Sequence, residues 1–229
     1  MINSKIVKEY GMNAGADVVG IASSKDFGFA PDGFRPVDVL PECLSVIVLG
    51  GSFPKEVLED ISKYTQSRNM MLTKMTDMAK EVATKIKRDG YKVKAISGAG
   101  GKWVEGDGRK EQFGHISLKH AAELSGLGVI GKNYLLTNPE YGNLLWFSAV
   151  LTDADLTPDE KAEYSICESC NKCVEMCPAK ALDDISSFGK KECSKFFTIE
   201  DKKFKIKCFL CRTVCPHCFN IQEIGRAHV

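Results

Sequence analysis

CESCNKCVEMCP, from Cys167 to Pro178, sets four cysteines in eleven residues at intervals of two, two and three, and CFLCRTVCP, from Cys208 to Pro216, repeats the closing half of that spacing. Fourteen residues separate Cys193 from the second run. Gaps this short let a tight loop turn successive sulfurs and backbone amides into one pocket, and the proline ends the loop and opens the next turn. Nine of the ten cysteines fall between Cys167 and Cys218, and only Cys43 lies outside. Crowded cysteines in a small secreted domain would read as disulfides. Here a long segment able to fold unaided precedes them, with no export signal, so metal ligation is the better reading.

The first run has the spacing of bacterial ferredoxins, in which three thiolates wrap one cubane and the fourth reaches across to another. On that crossing rule one 4Fe-4S cluster is held by Cys167, Cys170, Cys173 and Cys215, and a second by Cys193, Cys208, Cys211 and Cys177. The two clusters are then close neighbours. Paired Cys-x2-Cys units also build zinc ribbons, but a run closed by proline and echoed downstream fits zinc poorly. Eight ligands complete two cubanes, which leaves Cys218 a spare thiol. Cys43, ahead of an apolar strand, reads as a small buried hydrophobe. His217, beside Cys215, is either a hydrogen-bonding tuner of potential or, on the plainer reading, a solvated loop histidine.

Outside the cysteines the composition is that of an ordinary globular protein, with 44% hydrophobic residues among 229. Lys and Arg number 31 against 30 Asp and Glu, so a net charge of +1 points neither to nucleic acid nor to an anionic membrane. The first twenty residues contain Lys5, Lys8, Glu9 and Asp17 and lack the apolar run of a signal peptide or spanning helix. The expected location is the cytoplasm.

Apolar periodicity predicts a helix over 4–13, a buried strand over 16–22 and a second over 44–49, closed by Gly50 and Gly51. Residues 55–88 read as mostly helical, with Gly90 as the stop, and 91–96 alternates like a strand. Residues 98–108 hold five glycines in eleven positions and read as a site-serving loop. A helix over 115–124 and a strand over 143–151 follow. The expected fold class is α+β: an N-terminal mixed α/β domain over 1–155, then a ferredoxin-like double 4Fe-4S domain over 156–222. EIGRAHV, residues 223–229, is what a common sequencing-library adapter encodes in frame, and reads as a non-native tail. A frayed terminus is the plain alternative.

The order of GADVVGIA (15–22), PECLSVIVLG (41–50), SGLGVIGKNYLL (125–136), NPEYGN (138–143), VLTDADL (150–156), both cysteine sets and CSKFFTIE (193–200) resembles the epoxyqueuosine reductase family and its short iron-sulfur relatives. The resemblance implies that the N-terminal domain cradles a cobalamin beside the ferredoxin-like domain, as in the related reductive dehalogenases. It implies contacts to that cofactor from Trp103, His115, Lys132 and Tyr134, and electrons passing from cluster to cluster to cobalt. Two departures stand out. Where those reductases carry an acidic proton donor ahead of the Gly-Leu-Gly signature, Gln112 aligns, with Glu111 one position away. The sequence also stops short of the C-terminal extension those enzymes use on tRNA, so tRNA is a partner by resemblance only.

The function expected is a redox protein relaying electrons from two clusters to a corrinoid or a flavin that reduces a small-molecule or nucleoside substrate. His115, Glu111 and Asp107 are the titratable candidates for the proton. The alternative is an electron-transfer or reductive-activator partner protein whose N-terminal domain only docks. Gly126, Gly128 and Gly131 satisfy G-x-G-x-x-G, but a helix precedes them and none follows, so the strand-turn-helix of a dinucleotide site is missing.

Overall fold

A computed structural model describes residues 2–98, 101–106, 109–184, 189–200 and 203–219. In chain order the elements are α1 (Ser4–Asn13), β1 (Val18–Ser23), α2 (Pro36–Val39), β2 (Ser45–Ser52), α3 (Ile61–Arg88), β3 (Val93–Ile96), β4 (Lys102–Gly106), β5 (Arg109–Phe113), α4 (Leu118–Leu124), β6 (Val129–Ile130), β7 (Leu136–Thr137) and β8 (Leu145–Thr152). Then come α5 (Lys172–Glu175), α6 (Lys190–Ser194), β9 (Phe197–Glu200), β10 (Lys203–Ile206) and α7 (Leu210–Thr213). The fold is mixed α/β. Among the described residues no helix is long and apolar enough to cross a membrane.

The elements fall into two compact units, each assembled from separated stretches of chain. The first comprises Met1–Gly51, Leu72–Leu127 and Trp146–Ala162; the second comprises Ser52–Met71, Gly128–Leu145 and Glu163–Val229. The cysteine runs therefore share their unit with two earlier segments.

The first unit is built on a four-stranded sheet in the order β1-β2-β8-β3. β1 pairs antiparallel with β2, Val19 opposite Leu49, and β3 pairs antiparallel with β8, Ala95 opposite Val150. Both central strands are apolar on both faces, and Val46, Ile47, Val48, Leu49, Ala149, Val150 and Leu151 are all buried. Each large aliphatic so buried contributes about 1.5–3 kcal/mol. Successive strand residues point to opposite faces, and each face here is covered differently. A Cβ on Gly11 of α1 would lie 2.6 Å from Val19, whereas a Cβ on Gly20 would lie 2.4 Å from the Ser125 carbonyl just after α4. Helix α1 and the end of α4 thus cover opposite faces of β1, each at a distance only glycine permits. Asp159 clasps the edge: its carboxylate accepts from Lys8 Nζ and from the Ile21 amide, and its own amide donates to the Ile21 carbonyl.

Local chemistry sets the ends of α3. Asp60 Oδ1 accepts from the amides of Ser62 and Lys63 at 2.9 and 2.8 Å, an N-cap that separates the helix from the 3-10 turn Lys55–Glu59. Lys85, Lys87 and Arg88 occupy the last turn, and Gly90 follows with φ +95°. The glycine-rich segment expected as a loop is instead largely a hairpin, β4 against β5 with Trp103 opposite Gln112. Lys102 to Glu105 are strand-compatible, and Asp107-Gly108 is a two-residue hairpin signature in the sequence, although both lie outside the described residues. Helix α4 begins at Leu118, three residues later than expected, which leaves His115 ahead of it.

In the second unit the regular elements are short. β6 pairs with β7, β9 pairs with β10, and α5 and α7 are single turns inside the cysteine runs. Phe53, Tyr64, Leu136, Leu144, Ala181, Leu182 and Ile206 form its apolar interior. The C-terminal tail 223–229 lies outside the described residues.

Candidate functional site

All ten cysteines are free thiols. The Cys173 thiol is pushed above its ordinary value by burial, then by the neighbouring sulfurs of Cys215, Cys167 and Cys170. The Cys211 thiol is pushed up to about 11 by burial; Arg212 draws it back, while Cys193, Cys208 and Cys177 add to the rise. The seven cysteines of the two runs and Cys193 thus stand in two neighbour sets of four. In each set the last cysteine comes from the other run. Among the described residues no three Cys, His, Asp or Glu side chains close round a single metal-ion position. A cubane spreads its thiolates over the corners of a cube, wider than the ligands of one zinc.

Hydrogen-bond donors already face several of these sulfurs. The Lys132 amide donates to Cys167 Sγ at 3.5 Å and the Ala181 amide to Cys177 Sγ at 3.4 Å. Burial raises the Cys215 thiol, and hydrogen bonds with the His217 amide and the Asn143 side chain lower it. Donors of this kind stabilise thiolate over thiol, which is the form that binds iron. A Cβ on Gly131 would come within 3.2 Å of Cys167 Sγ, so this glycine keeps the backbone close to the sulfur. Eight free thiols, in-facing amides and a glycine cradle fit the donor needs of two 4Fe-4S clusters.

The segment Gly128–Leu145 acts as a collar for both cysteine runs. Lys132 Nζ donates to the Cys170 carbonyl at 3.0 Å and to Asn171 Oδ1 at 2.9 Å. Asn133 Nδ2 donates to the Cys211 carbonyl at 2.9 Å. The Asn143 amide donates to the Cys218 carbonyl, and Cys218 Sγ, itself buried, donates to Asn143 Oδ1. Gly142 has φ +54°, and a Cβ there would meet the Cys218 carbonyl at 2.3 Å. His217 is half-buried as a residue, and its Nδ1 is buried with no hydrogen-bond partner among the described residues.

No family model matches the chain. The epoxyqueuosine reductase of Lactococcus garvieae (strain Lg2) is 35% identical over 107 residues, covering 42% of this chain and 30% of that protein. That of Bacillus subtilis (strain 168) is 32% identical over 114 residues, 45% of this chain and 29% of the relative. The chain is a relative of the epoxyqueuosine reductases. The matched stretch spans about 30% of the length of these curated relatives. The fold is shared more widely. The epoxyqueuosine reductase structure from Streptococcus thermophilus superimposes with a TM-score of 0.67 at 17% identity, over 93% of this chain and 65% of that one. An epoxyqueuosine reductase structure with an epoxyqueuosine-modified tRNA-Tyr stem loop gives 0.58 at 19%, over 93% and 64%. A reductive dehalogenase structure described as suggesting a mechanism for B12-dependent dehalogenation gives 0.68 at 20%, over 96% and 32%.

Among the residues that the epoxyqueuosine reductase resemblance places near a cofactor, Lys132 and Tyr134 belong to the cysteine-bearing unit and His115 to the first unit. The Lys132 ammonium is committed to Cys170 and Asn171. Tyr134 has φ 55°, and burial, then the Asp184 charge, raises its hydroxyl pKa. Trp103 and Glu111 lie on the paired strands β4 and β5, with their side chains outside the described set, and Asp107 is outside it altogether. One group escaped the sequence reading: His120 on α4, whose Nδ1 lies 2.7 Å from Ser117 Oγ and whose ring packs on Phe29 at 5.2 Å. Burial holds its pKa below the ordinary histidine value. No spacing or motif marks it, because the contact with Phe29 joins residues 91 positions apart.

Proposed function

We propose that the chain is a cytoplasmic iron-sulfur oxidoreductase. Its first 4Fe-4S cluster is held by Cys167, Cys170, Cys173 and Cys215, its second by Cys177, Cys193, Cys208 and Cys211, and they relay single electrons to a cofactor or substrate at the N-terminal domain. One observation carries this reading: the neighbours of Cys173 and of Cys211 are the two sets that the crossing rule requires, each including the far run's closing cysteine. The sulfur-facing amides of Lys132, Ala181 and His217 support it.

The electron acceptor we assign is a corrinoid, supported by the shared fold of a reductive dehalogenase linked to B12-dependent chemistry. The substrate class is a modified nucleoside or another small molecule that accepts electrons and protons, as the relatives' names imply. His115, Glu111 and Asp107 remain the residues to supply the proton. An epoxyqueuosine reductase with this fold has been captured with a tRNA stem loop, which makes tRNA the macromolecule to try first.

The test is anaerobic purification with iron and sulfide counts and EPR of the reduced protein, repeated for Cys170→Ser. About eight irons per chain, with one of two signals lost in the variant, is the expected result. Four irons or fewer in the wild-type protein would refute the two-cluster reading. Cobalamin titration followed by visible spectroscopy then separates a corrinoid enzyme from an electron-transfer partner: no spectral change on mixing favours the partner.

A further inference from the structure

Arg212 is the one buried cation among the described residues, 5% exposed, and no described carboxylate forms an ion pair with it. Its Nη1 donates to Asn143 Oδ1 at 3.2 Å, and its guanidinium lies over the rings of Phe53 and Tyr64, 5.2 and 5.9 Å from their centroids. Aromatic faces and one amide oxygen solvate a guanidinium only in part. A charge taken out of water without an opposite charge costs several kcal/mol, so a buried arginine of this kind calls for an anion beside it. The groups that flank it are thiols. It follows Cys211 directly in the chain, and the Asn143 oxygen that accepts from its Nη1 also accepts from the buried Cys218 Sγ.

We infer that Arg212 is the built-in counter-charge of the cluster on Cys177, Cys193, Cys208 and Cys211, and that it raises the reduction potential of that cluster above the value its thiolates alone would set. The inference rests on the two-cluster reading proposed above. Four thiolates leave such a cluster with net negative charge, and reduction adds one electron to it. A fixed positive charge in a poorly polarisable surrounding favours the reduced form more than the oxidised one. Because Arg212 directly follows Cys211 in the chain, the larger effect is expected at the Cys211 cluster, which makes that cluster the better resting place for an electron. The arginine acts through the cluster and is a positioning charge, not a catalytic residue.

The experiment is an EPR-monitored redox titration of the full chain with its clusters, in the wild-type protein and in Arg212→Met and Arg212→Lys, with iron counted in each. The relevant signal is the one that survives Cys170→Ser. Arg212→Met is expected to weaken reduction of that cluster at least tenfold, about 59 mV for a one-electron couple, and to move the other signal less. Arg212→Lys is expected to keep the wild-type value within threefold. Should Arg212→Met not assemble clusters, Arg212→Gln replaces it, since it retains a donor for Asn143 without the charge. Eight irons with an unmoved potential in the neutral variant overturns this inference alone. So does a lysine variant that shifts as far as the neutral one, because shape rather than charge would then be responsible. A wild-type protein without iron overturns the cluster reading itself, and this inference with it.

Discussion

Asn143 and Arg212 hold each other from both ends: Arg212 Nη1 donates to Asn143 Oδ1 at 3.2 Å, and Asn143 Nδ2 donates to the Arg212 carbonyl at 3.3 Å. The same Asn143 oxygen also accepts from Cys218 Sγ. Replacing Asn143 with Ala removes the acceptor from a buried cation and from a buried thiol at once. The expected loss is about 3 kcal/mol of stability, read from chemical denaturation of the cluster-free protein under reducing conditions. A loss under about 1 kcal/mol would mean that the pairing is incidental.

Lys132 ties the Cys170 loop to the collar through two charge-assisted hydrogen bonds. Lys132→Met leaves its backbone amide, and therefore the Cys167 contact, in place. The Cys170 carbonyl and the Asn171 side chain lose their donor. The variant is expected to release iron to a chelator roughly tenfold faster than wild type, in keeping with about 1–1.5 kcal/mol of lost loop restraint. An unchanged release rate would show that the loop needs no such tie.

Gly142 combines φ +54° with a backbone neighbour where a Cβ would stand. Gly142→Ala is expected to cost about 2 kcal/mol or more, because both the dihedral and the carbonyl of Cys218 must shift. At Gly28, by contrast, φ is negative and a Cβ would meet nothing within 4 Å, so Gly28→Ala is the neutral control. Equal melting temperatures for the two variants would contradict the close approach.

Cys43 gives a pH dependence with a definite sign. Burial pushes its thiol up to about 11, so the folded state holds the proton more tightly than the unfolded chain does. The contribution to stability is complete below the unfolded thiol value and is lost as pH rises through the folded one. The window runs from about pH 8.5 to about 11. The cluster-free protein is expected to lose more stability across that window than Cys43→Ala does, by about 2 kcal/mol at its upper end. Parallel stability curves for the two proteins would refute it.

Much of the fold is legible in the sequence because its signals are local. The apolar periodicity of Ser4–Asn13 and the continuous run in Ser45–Ser52 are complete within a few residues, and the structure places a helix and a central strand there. The cysteine spacing is a local signal of the same kind, complete within two short runs and Cys193. The glycine-rich segment misleads because its glycines outnumber every other signal there, and they hide the Asp107-Gly108 pair as a hairpin signature in the sequence. The roles of Lys132, Asn133 and Asn143 are beyond the sequence for a different reason. Their partners lie 39, 78 and 69 positions away, and an amide or ammonium group carries no mark of what it will bind. His120 and Arg212 are of the same kind, ordinary residues made unusual by what is packed on them.

The collar has a consequence for anyone who would treat the cysteine-rich third as a portable cassette. Excised at residue 155, it would leave behind Gly131, Lys132, Asn133, Gly142 and Asn143, and with them the anchors for Cys170, Cys211 and Cys218. A transplant must carry 128–145 along, by fusion or by circular rearrangement. Selection, too, can shuffle these two parts between genes only by moving interleaved pieces together.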